Sequence, residues 1–284
     1  MKKIISLILV FVFSICLAGC AGNAGKSDKE NKAVIAVSIV PQATFVEKIV
    51  GDEFEVVTMI PAGASPETYE PTPLQMQKTE DAVFFFAIGV PAEESFMISE
   101  KTERVNLHEM ILVSHKELEI DGGRDPHIWL SPKRAMAMVS IISEKLGEKY
   151  PGKAEEYNQN ALKYIEELEK LDQEIISLLG EARGKGFIAF HPAFGYFADE
   201  YGLKMYALEE HGKETTAKRI SDMVELAKKE NIKVIFYQAE SSGKQAKVFA
   251  DEIGGKAVSL EPLAADYVDN LRNMAKAISE AVKK

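Results

Sequence analysis

Short apolar runs, rich in β-branched and aromatic residues, alternate with helical patterns along most of this chain. The predicted strands cover 33–40, 54–60 and 82–88 in the first half, and 186–190, 204–208, 234–237 and 257–260 in the second. Helical patterns over 44–50 and 73–79 separate the first three strands. Near-continuous apolar strands separated by helices are typical of parallel sheets covered on both faces. We therefore expect an α/β protein.

A long helical pattern separates the two halves. Between Gly152 and Gly180 there is no proline or glycine, and apolar residues recur at spacings of three and four from Tyr157 to Leu179. A helix of this length exceeds a typical crossover within one small domain. We predict two αβ lobes, 33–150 and 183–284, joined by a rigid helix over 151–182. A surface coiled-coil arm is the alternative.

The first twenty residues predict export. Lys2 and Lys3 precede a mostly apolar run of about 15 residues, which is too short to span a bilayer comfortably. The run ends in Leu-Ala-Gly-Cys20, which resembles the lipobox of bacterial lipoproteins and implies acylation of Cys20 after cleavage. We expect a signal peptide over 1–19, a lipidated flexible tether over 20–32, and a protein on the outer face of the cytoplasmic membrane or in the periplasm. An ordinary cleaved signal or a short membrane anchor is the alternative.

Composition narrows the classes of partner and of fold. Cys16 leaves with the signal peptide, so Cys20 is the single remaining cysteine and no intrachain disulfide can form. The fold must then depend on its apolar core. The net charge of −10 argues against nucleic acid as a partner.

Two of the five histidines stand in unusual settings. His127 follows Asp125-Pro126, and His191 ends an apolar strand and precedes Pro192. Ligands of open α/β sheets collect beyond the carboxyl ends of strands, and proline fixes the local turn. One such histidine is usually a hydrogen-bonded core residue, but two, one in each half, favour a site in a cleft. The other three have mostly polar neighbours and are predicted to face solvent: His108, His115 and His211.

Two glutamates follow predicted strands in a similar way. Glu67 and Glu261 each lie beside a proline, beyond the strands that end at Ile60 and Leu260. Either one could be a solvated loop charge. If both converge with the two histidines, the set of two imidazoles and two carboxylates suits a divalent transition metal. Spacing alone does not establish that convergence.

Four segments resemble a known family. The runs at 66–73 (PETYEPTP), 125–132 (DPHIWLSP), 191–203 (HPAFGYFADEYGL) and 261–263 (EPL) are similar to those of solute-binding lipoproteins that feed ABC-type zinc and manganese importers. The resemblance implies two αβ lobes with one metal ion in the cleft between them. It also implies a non-enzymatic monomer that passes its metal to a membrane permease and ATPase. The metal ligands carried over are Glu67, His127, His191 and Glu261.

The sequence departs from the usual pattern of that family at two of these ligands. Glu67 stands where the family normally has histidine, and Glu261 stands where it has aspartate. An oxygen donor at position 67 shifts the metal preference of the site toward Mn²⁺ or Fe²⁺. A histidine at position 191, by contrast, resembles the pattern of the zinc-type members of the family. Because Zn²⁺ accepts mixed nitrogen and oxygen ligands and binds more tightly than either competitor, we expect Zn²⁺ as the transported ligand. A set of His127, His191, Glu261 and water is the alternative without Glu67.

Other classes of function fit less well. A zinc hydrolase commonly carries a His-Glu-x-x-His helix, and the sequence has none. The Gly-x-Ser-x-Gly turn of serine hydrolases is also missing. A tethered lipoprotein for adhesion or metal sensing would share both fold and site, so this alternative stays open.

Overall fold

Two four-stranded parallel sheets form the framework of the protein. The computed structural model describes residues 32–120, 122–209, 215–238 and 243–283. The first sheet has the order β2-β1-β3-β4 and is built from β1 (Val34–Ile39), β2 (Glu55–Ile60), β3 (Phe84–Ala87) and β4 (Glu103–Asn106). A short antiparallel hairpin follows, formed by β5 (Glu119–Ile120) and β6 (Gly123–Arg124). The second sheet has the order β10-β9-β7-β8, from β7 (Gly186–Ala189), β8 (Lys204–Ala207), β9 (Val234–Gln238) and β10 (Lys256–Leu260).

Helices connect and cover these strands. They are α1 (Val40–Val50), α2 (Pro73–Thr79), α3 (Leu107–Ile111), α4 (Pro132–Lys149), α5 (Ala154–Leu179), α6 (Gly195–Tyr201), α7 (Ala217–Lys229), α8 (Gly243–Glu252) and α9 (Tyr267–Val282). Local sequence explains several starts: the hydroxyl of Ser131 accepts from the N–H of Arg134 at the start of α4, and Thr72 caps α2 in the same way. In the described part of the chain, no helix is both long and apolar enough to cross a membrane.

The long helix α5 has one buried face that both halves of the chain share. Its 26 residues span about 39 Å. At its centre the ring of Tyr164 lies 6.1 Å from that of Phe45 in α1, and Phe45 meets Tyr267 of α9 edge to face at 5.0 Å. Nearer its C-terminal end, Tyr201 of α6 donates a 2.8 Å hydrogen bond to the buried Asp172. The helix therefore packs against elements from before and after it in the sequence.

The predicted fold class is confirmed, as an α/β protein with two parallel sheets and a long helix between them. Every predicted strand lies within two residues of an observed one. Helix α1 begins four residues earlier than its predicted start because Pro41 fits the first turn of a helix. The strand β4 and the hairpin were not predicted. Residues 33–284 form one compact unit, and the boundaries of the two lobes stay a prediction. The signal peptide and Cys20 lie outside the described residues.

The topology places one crevice at the carboxyl end of each sheet. In the first sheet, strand order reverses between β1 and β3, a position where ligands of such sheets commonly bind. Here the buried carboxylate of Glu93 occupies it, accepting from the N–H groups of Ile88 and Gly89 and from the hydroxyl of Ser38. In the second sheet the reversal lies between β7 and β9, and His191 follows β7 directly.

Candidate metal site

His127 is fixed by the residue two positions before it. Asp125 is 1% exposed, and its Oδ1 accepts from both the backbone N–H of His127 (2.9 Å) and the ring Nδ1 of His127 (2.8 Å). The following residues, Ile128–Leu130, form a buried 3-10 turn. The imidazole is thus held by its own turn, with Nε2 as the nitrogen left for another partner.

His191 is fixed by a neighbouring strand. Its Nδ1 lies 2.7 Å from Oε2 of Glu209, which follows the carboxyl end of β8. The backbone reinforces this pair, because the N–H of Glu209 donates to the carbonyl of Phe190 over 2.9 Å. Pairing between β7 and β8 therefore brings the carboxylate beside the ring.

Glu67 reaches the same place from the first half of the chain. It lies in the loop after β2, where its N–H donates to the hydroxyl of Ser65. This loop contacts the turn at Pro91–Ser95, because the N–H of Ala92 donates to the carbonyl of Pro66. Its side chain is 27% exposed, more than those of the two histidines. The carboxylate can therefore shift more readily than either ring.

Three donor atoms converge in the cleft between the sheets. The Nε2 atoms of His127 and His191 are 3.3 Å apart, and Oε1 of Glu67 lies 4.0 Å from the first and 3.9 Å from the second. Among the described residues, this trio is the group of histidine and acidic side chains whose donor atoms lie close enough to share an ion, all within 4.8 Å of one another. The sequence-predicted residues Glu67, His127 and His191 are thus brought together.

The hydrogen bonds decide which ring nitrogen is free. A carboxylate accepts and does not donate, so Nδ1 carries the proton in both rings. In neutral imidazoles, the Nε2 lone pairs of His127 and His191 then face each other across 3.3 Å. Two facing lone pairs repel unless a cation lies between them, and a carboxylate behind each ring is the common arrangement in zinc sites.

The spacing fits a tetrahedral metal. Two imidazole nitrogens, each bonded to Zn²⁺ at about 2.0–2.1 Å, are separated by about 3.3 Å when the angle between the bonds is tetrahedral. That value matches the separation of the two Nε2 atoms. The contacts from Glu67 are longer, so its carboxylate would move inward on binding. Mixed nitrogen and oxygen donors suit Zn²⁺ and other divalent transition metals.

Glu261 is not a member of this trio. It lies just beyond β10 with an exposed side chain, and its backbone carbonyl accepts from the side-chain amide of Asn270 over 2.7 Å. A carboxylate from the end of β10 would have to turn toward the cleft to contact the same ion. Its assignment as a fourth ligand stays a prediction.

The prediction for His108 was wrong. Its polar neighbours in the sequence suggested a solvent-facing side chain, but the residue is 1% exposed and its Nε2 contacts Oε1 of Glu117 at 3.0 Å. Burial lowers the pKa of His108, and the charge of Arg124 lowers it further. The hydrogen bond to Glu117 acts in the opposite direction and raises this pKa, but by less than burial lowers it. His115 is half-buried rather than fully exposed, and burial also lowers its pKa. His211 lies outside the described residues.

Two carboxylates that support the site were missed. Asp125 stands two residues before His127, and Glu209 lies two residues beyond the end of β8. Glu209 has no proline beside it, so the rule that picked out Glu67 and Glu261 passed over it. Asp125 could have been found from its place next to the turn proline, because short acidic side chains commonly accept from backbone N–H groups two residues on.

The cleft extends well beyond the three donor atoms. It has a volume of about 750 Å³, and besides the trio its walls include Glu94, Arg104, His108, Glu109 and Arg124. The guanidinium of Arg104 is paired with Glu93 at 3.2 Å. The cleft thus contains a compact set of metal donors, and the remainder of its wall carries further charged side chains.

Known proteins resemble the chain over most of its described length. It is 32% identical to "Zinc-binding lipoprotein AdcA" of Streptococcus pneumoniae, a match that covers 93% of this chain and 56% of that protein. It is 30% identical to "High-affinity zinc uptake system protein ZnuA" of Bacillus subtilis, which covers 92% of this chain and 89% of that protein. The chain therefore spans about half the length of the AdcA proteins that it matches.

A solved structure and a family model agree with these matches. A crystal structure of ZnuA superposes with a TM-score of 0.82 at 32% identity, covering 88% of this chain and 99% of the other. The model of the ZnuA family, described as "Zinc-uptake complex component A periplasmic", matches residues 35–281. This chain therefore belongs to the ZnuA family.

Proposed function

We propose that this protein captures a divalent transition metal outside the cytoplasm, with Zn²⁺ favoured, and delivers it to an ABC-type importer. The observation that carries the proposal is the 3.3 Å separation of the Nε2 atoms of His127 and His191, with Oε1 of Glu67 within 4.0 Å of each. Two relatives that are named for zinc binding or zinc uptake support the choice of metal. We propose a transport role without catalysis, and the description of the family, a component of a zinc-uptake complex, supports the transport role.

We infer the steps of metal capture from how firmly each donor side chain is held. Asp125 and Glu209 fix the two rings before the metal arrives, so little side-chain freedom is lost on binding. Glu67 then closes on the ion from its more exposed loop. Two rigid donors and one movable donor allow the ion to be bound firmly and yet be released when the Glu67 loop is displaced.

The predicted N-terminal segment determines where the protein is held and which partners it can reach. Cleavage before Cys20 and acylation of its sulfur would hold the protein at the membrane surface, where the permease and ATPase of an importer operate. We propose that the protein acts there as a monomer that docks on the permease with its cleft loaded. The name of the pneumococcal relative, a lipoprotein, supports the anchor.

Mn²⁺ or Fe²⁺ is the second candidate cargo. The observation in its favour is Glu67, because a carboxylate oxygen in place of a third nitrogen suits harder cations. Against it, both imidazoles are backed by carboxylates, as is common in zinc sites. Zinc also binds more tightly than Mn²⁺ or Fe²⁺ to most sites of this kind.

Elemental analysis tests the proposal. The purified protein, loaded with an equimolar mixture of Zn²⁺, Mn²⁺ and Fe²⁺ without oxygen and then desalted, is expected to retain about one zinc per chain. His127→Ala and His191→Ala are expected to lose most of it, whereas His115→Ala, a histidine outside the trio, is expected to retain it. Retention of manganese or iron would favour the second candidate, and equal zinc in all variants would refute the site.

A further inference from the structure

Trp129 lies between His127 and the segment that follows β10. It is the single tryptophan of the chain and is 1% exposed. Its indole ring lies beside the imidazole of His127, with the ring centroids 5.2 Å apart and the two planes inclined by 54°. The indole Nε1 donates to the carbonyl of Pro262 over 2.9 Å. One side chain therefore contacts both a metal-donor ring and a backbone segment of the second half.

The backbone of Trp129 is held as well as its ring. Ile128–Leu130 form a buried 3-10 turn, in which the N–H of Leu130 donates to the carbonyl of His127 over 3.2 Å. The hydroxyl of Tyr267, at the start of α9, donates to the carbonyl of Trp129 over 2.6 Å. The indole and the backbone of Trp129 are thus both bonded to residues of the second half.

Pro262 and His191 follow strands of the same sheet. Pro262 lies two residues beyond β10 and His191 lies two residues beyond β7, and β9 pairs with both strands. The N–H of Phe190 also donates to the carbonyl of Phe236 in β9 over 2.7 Å. The bond from the indole to Pro262 therefore fixes the His127 turn against the sheet that carries His191.

Metal affinity depends on how the two rings are placed relative to each other. Asp125 holds the ring of His127 within the first half, and Glu209 holds that of His191 within the second. Neither carboxylate fixes the distance of 3.3 Å between the two Nε2 atoms. Donor groups that are already in their bound arrangement cost less free energy to order when the ion binds. A contact that joins the His127 turn to the second half therefore raises metal affinity, and the indole of Trp129 provides one.

We propose that Trp129 is a positioning residue of the metal site, which holds the imidazole of His127 at the distance from His191 that the ion requires. This inference rests on the proposed function and adds a residue outside the ligand set. The indole forms no bond to the ion, because it acts through its contact with His127 and its bond to Pro262. Loss of the indole N–H lets the His127 turn shift relative to the second sheet, so the two rings are no longer held at a fixed separation before the ion binds.

Replacement of the indole by a ring of the same shape tests the proposal. Because the chain has a single tryptophan, biosynthetic incorporation of a tryptophan analogue changes Trp129 alone. The analogue β-(3-benzothienyl)alanine carries sulfur in place of the N–H, whereas 5-fluorotryptophan keeps the N–H. We expect the benzothienyl protein to bind zinc about 3-fold to 10-fold more weakly in competition with a chromophoric chelator, and the fluorinated protein to bind it as the unchanged protein does. Equal zinc affinity of the two analogue proteins would overturn the proposal.

Tyr267→Phe tests the same role without an analogue. It keeps the indole and removes the hydroxyl that holds the carbonyl of Trp129. Zinc affinity is expected to fall by a similar factor, and an affinity equal to that of the unchanged protein would overturn the proposal. Tyr157→Phe also removes a buried ring's hydroxyl bond, to Glu53, but Tyr157 does not line the cleft. This control is expected to keep its zinc affinity, which separates positioning from a general loss of stability.

A mutant cycle shows whether Trp129 acts through His127. In a His127→Ala background, zinc binds more weakly, and calorimetry measures the residual affinity. We expect the benzothienyl analogue to lower this residual affinity no further, since the ring that Trp129 positions is gone. An analogue effect of the same size with and without His127 would overturn the proposal.

Zinc retention by the unchanged protein is measured first and separates this inference from the proposed function. If the unchanged protein fails to retain zinc, the proposed function fails, and this inference fails with it. If it retains about one zinc and the benzothienyl protein binds zinc equally well, only this inference fails.

Discussion

The indole Nε1 of Trp129 donates to the carbonyl of Pro262 over 2.9 Å. This bond joins the turn that carries His127 to the segment after β10 that carries Glu261, so it links the two halves of the chain beside the cleft. A second bond reinforces the link, because the hydroxyl of Tyr267 donates to the carbonyl of Trp129 over 2.6 Å. Both aromatic side chains are almost fully buried, and the position of the His127 turn is therefore set by contacts with the second half.

Loss of the indole bond is expected to destabilise the protein. In Trp129→Phe the buried carbonyl of Pro262 loses its donor, which costs about 1–3 kcal/mol in the free energy of unfolding, and the smaller ring adds to the loss. Denaturant unfolding measures the change. Tyr157→Phe removes a hydroxyl bond to the exposed Glu53 and serves as the control with a smaller expected loss. A free energy of unfolding equal to that of the unchanged protein would show that the indole bond contributes nothing.

The carboxylates behind the two histidines are expected to control metal affinity. In Asp125→Asn and Glu209→Gln the new amide can donate as well as accept, so it no longer holds the proton on Nδ1. We expect zinc affinity about 10-fold to 100-fold lower, measured by competition with a chromophoric chelator. Glu117→Gln alters the partner of His108 outside the trio and is expected to leave zinc affinity unchanged. Equal affinity in all three variants would contradict the role of Asp125 and Glu209.

Gly195 is required by the close approach of Asp125. A Cβ at position 195, the first residue of α6, would overlap Oδ2 of the buried Asp125 carboxylate. Gly195→Ala is therefore expected to displace Asp125, and with it His127, lowering both zinc affinity and the unfolding temperature. Gly152→Ala, where a Cβ would meet nothing within 4 Å, is the matched control. Unchanged zinc affinity in Gly195→Ala would show that the Asp125 turn adapts without moving His127.

His108 is expected to make the fold sensitive to acid. Burial lowers the pKa of this imidazole in the folded protein below its ordinary value of 6.5. Below about pH 6.5 the unfolded chain therefore binds a proton that the folded protein does not, and stability falls as the pH falls. His108→Gln removes this contribution, so its unfolding temperature should decline less steeply between about pH 6.5 and 5. Parallel pH curves for the two proteins would contradict this assignment.

The sequence predicted the central strands of both sheets well because these strands are buried on both faces. Runs such as Phe84–Ala87 are fully buried, and a continuous apolar pattern marks such strands without knowledge of their neighbours. The strand β4, Glu-Arg-Val-Asn, was missed because it lies at a sheet edge and keeps only Val105 buried. The two-residue strands of the hairpin are too short to carry any periodic pattern.

The candidate site was predicted only in part, for a physical reason. The position of His191 after a strand is a local property, and the sequence contains it. The meeting of Nε2 atoms from His127 and His191 depends on how two sheets pack along α5, which no local spacing encodes. Contacts such as the bond from Trp129 to Pro262 set that packing, and they join residues 133 positions apart.

Anomalous X-ray scattering from crystals of the zinc-soaked protein tests the central claim most directly. Data collected on both sides of the zinc edge should place one strong peak about 2.0–2.2 Å from Nε2 of His127, Nε2 of His191 and an oxygen of Glu67. A peak bonded to other residues, or no peak in the cleft while the protein retains zinc in solution, would contradict the account.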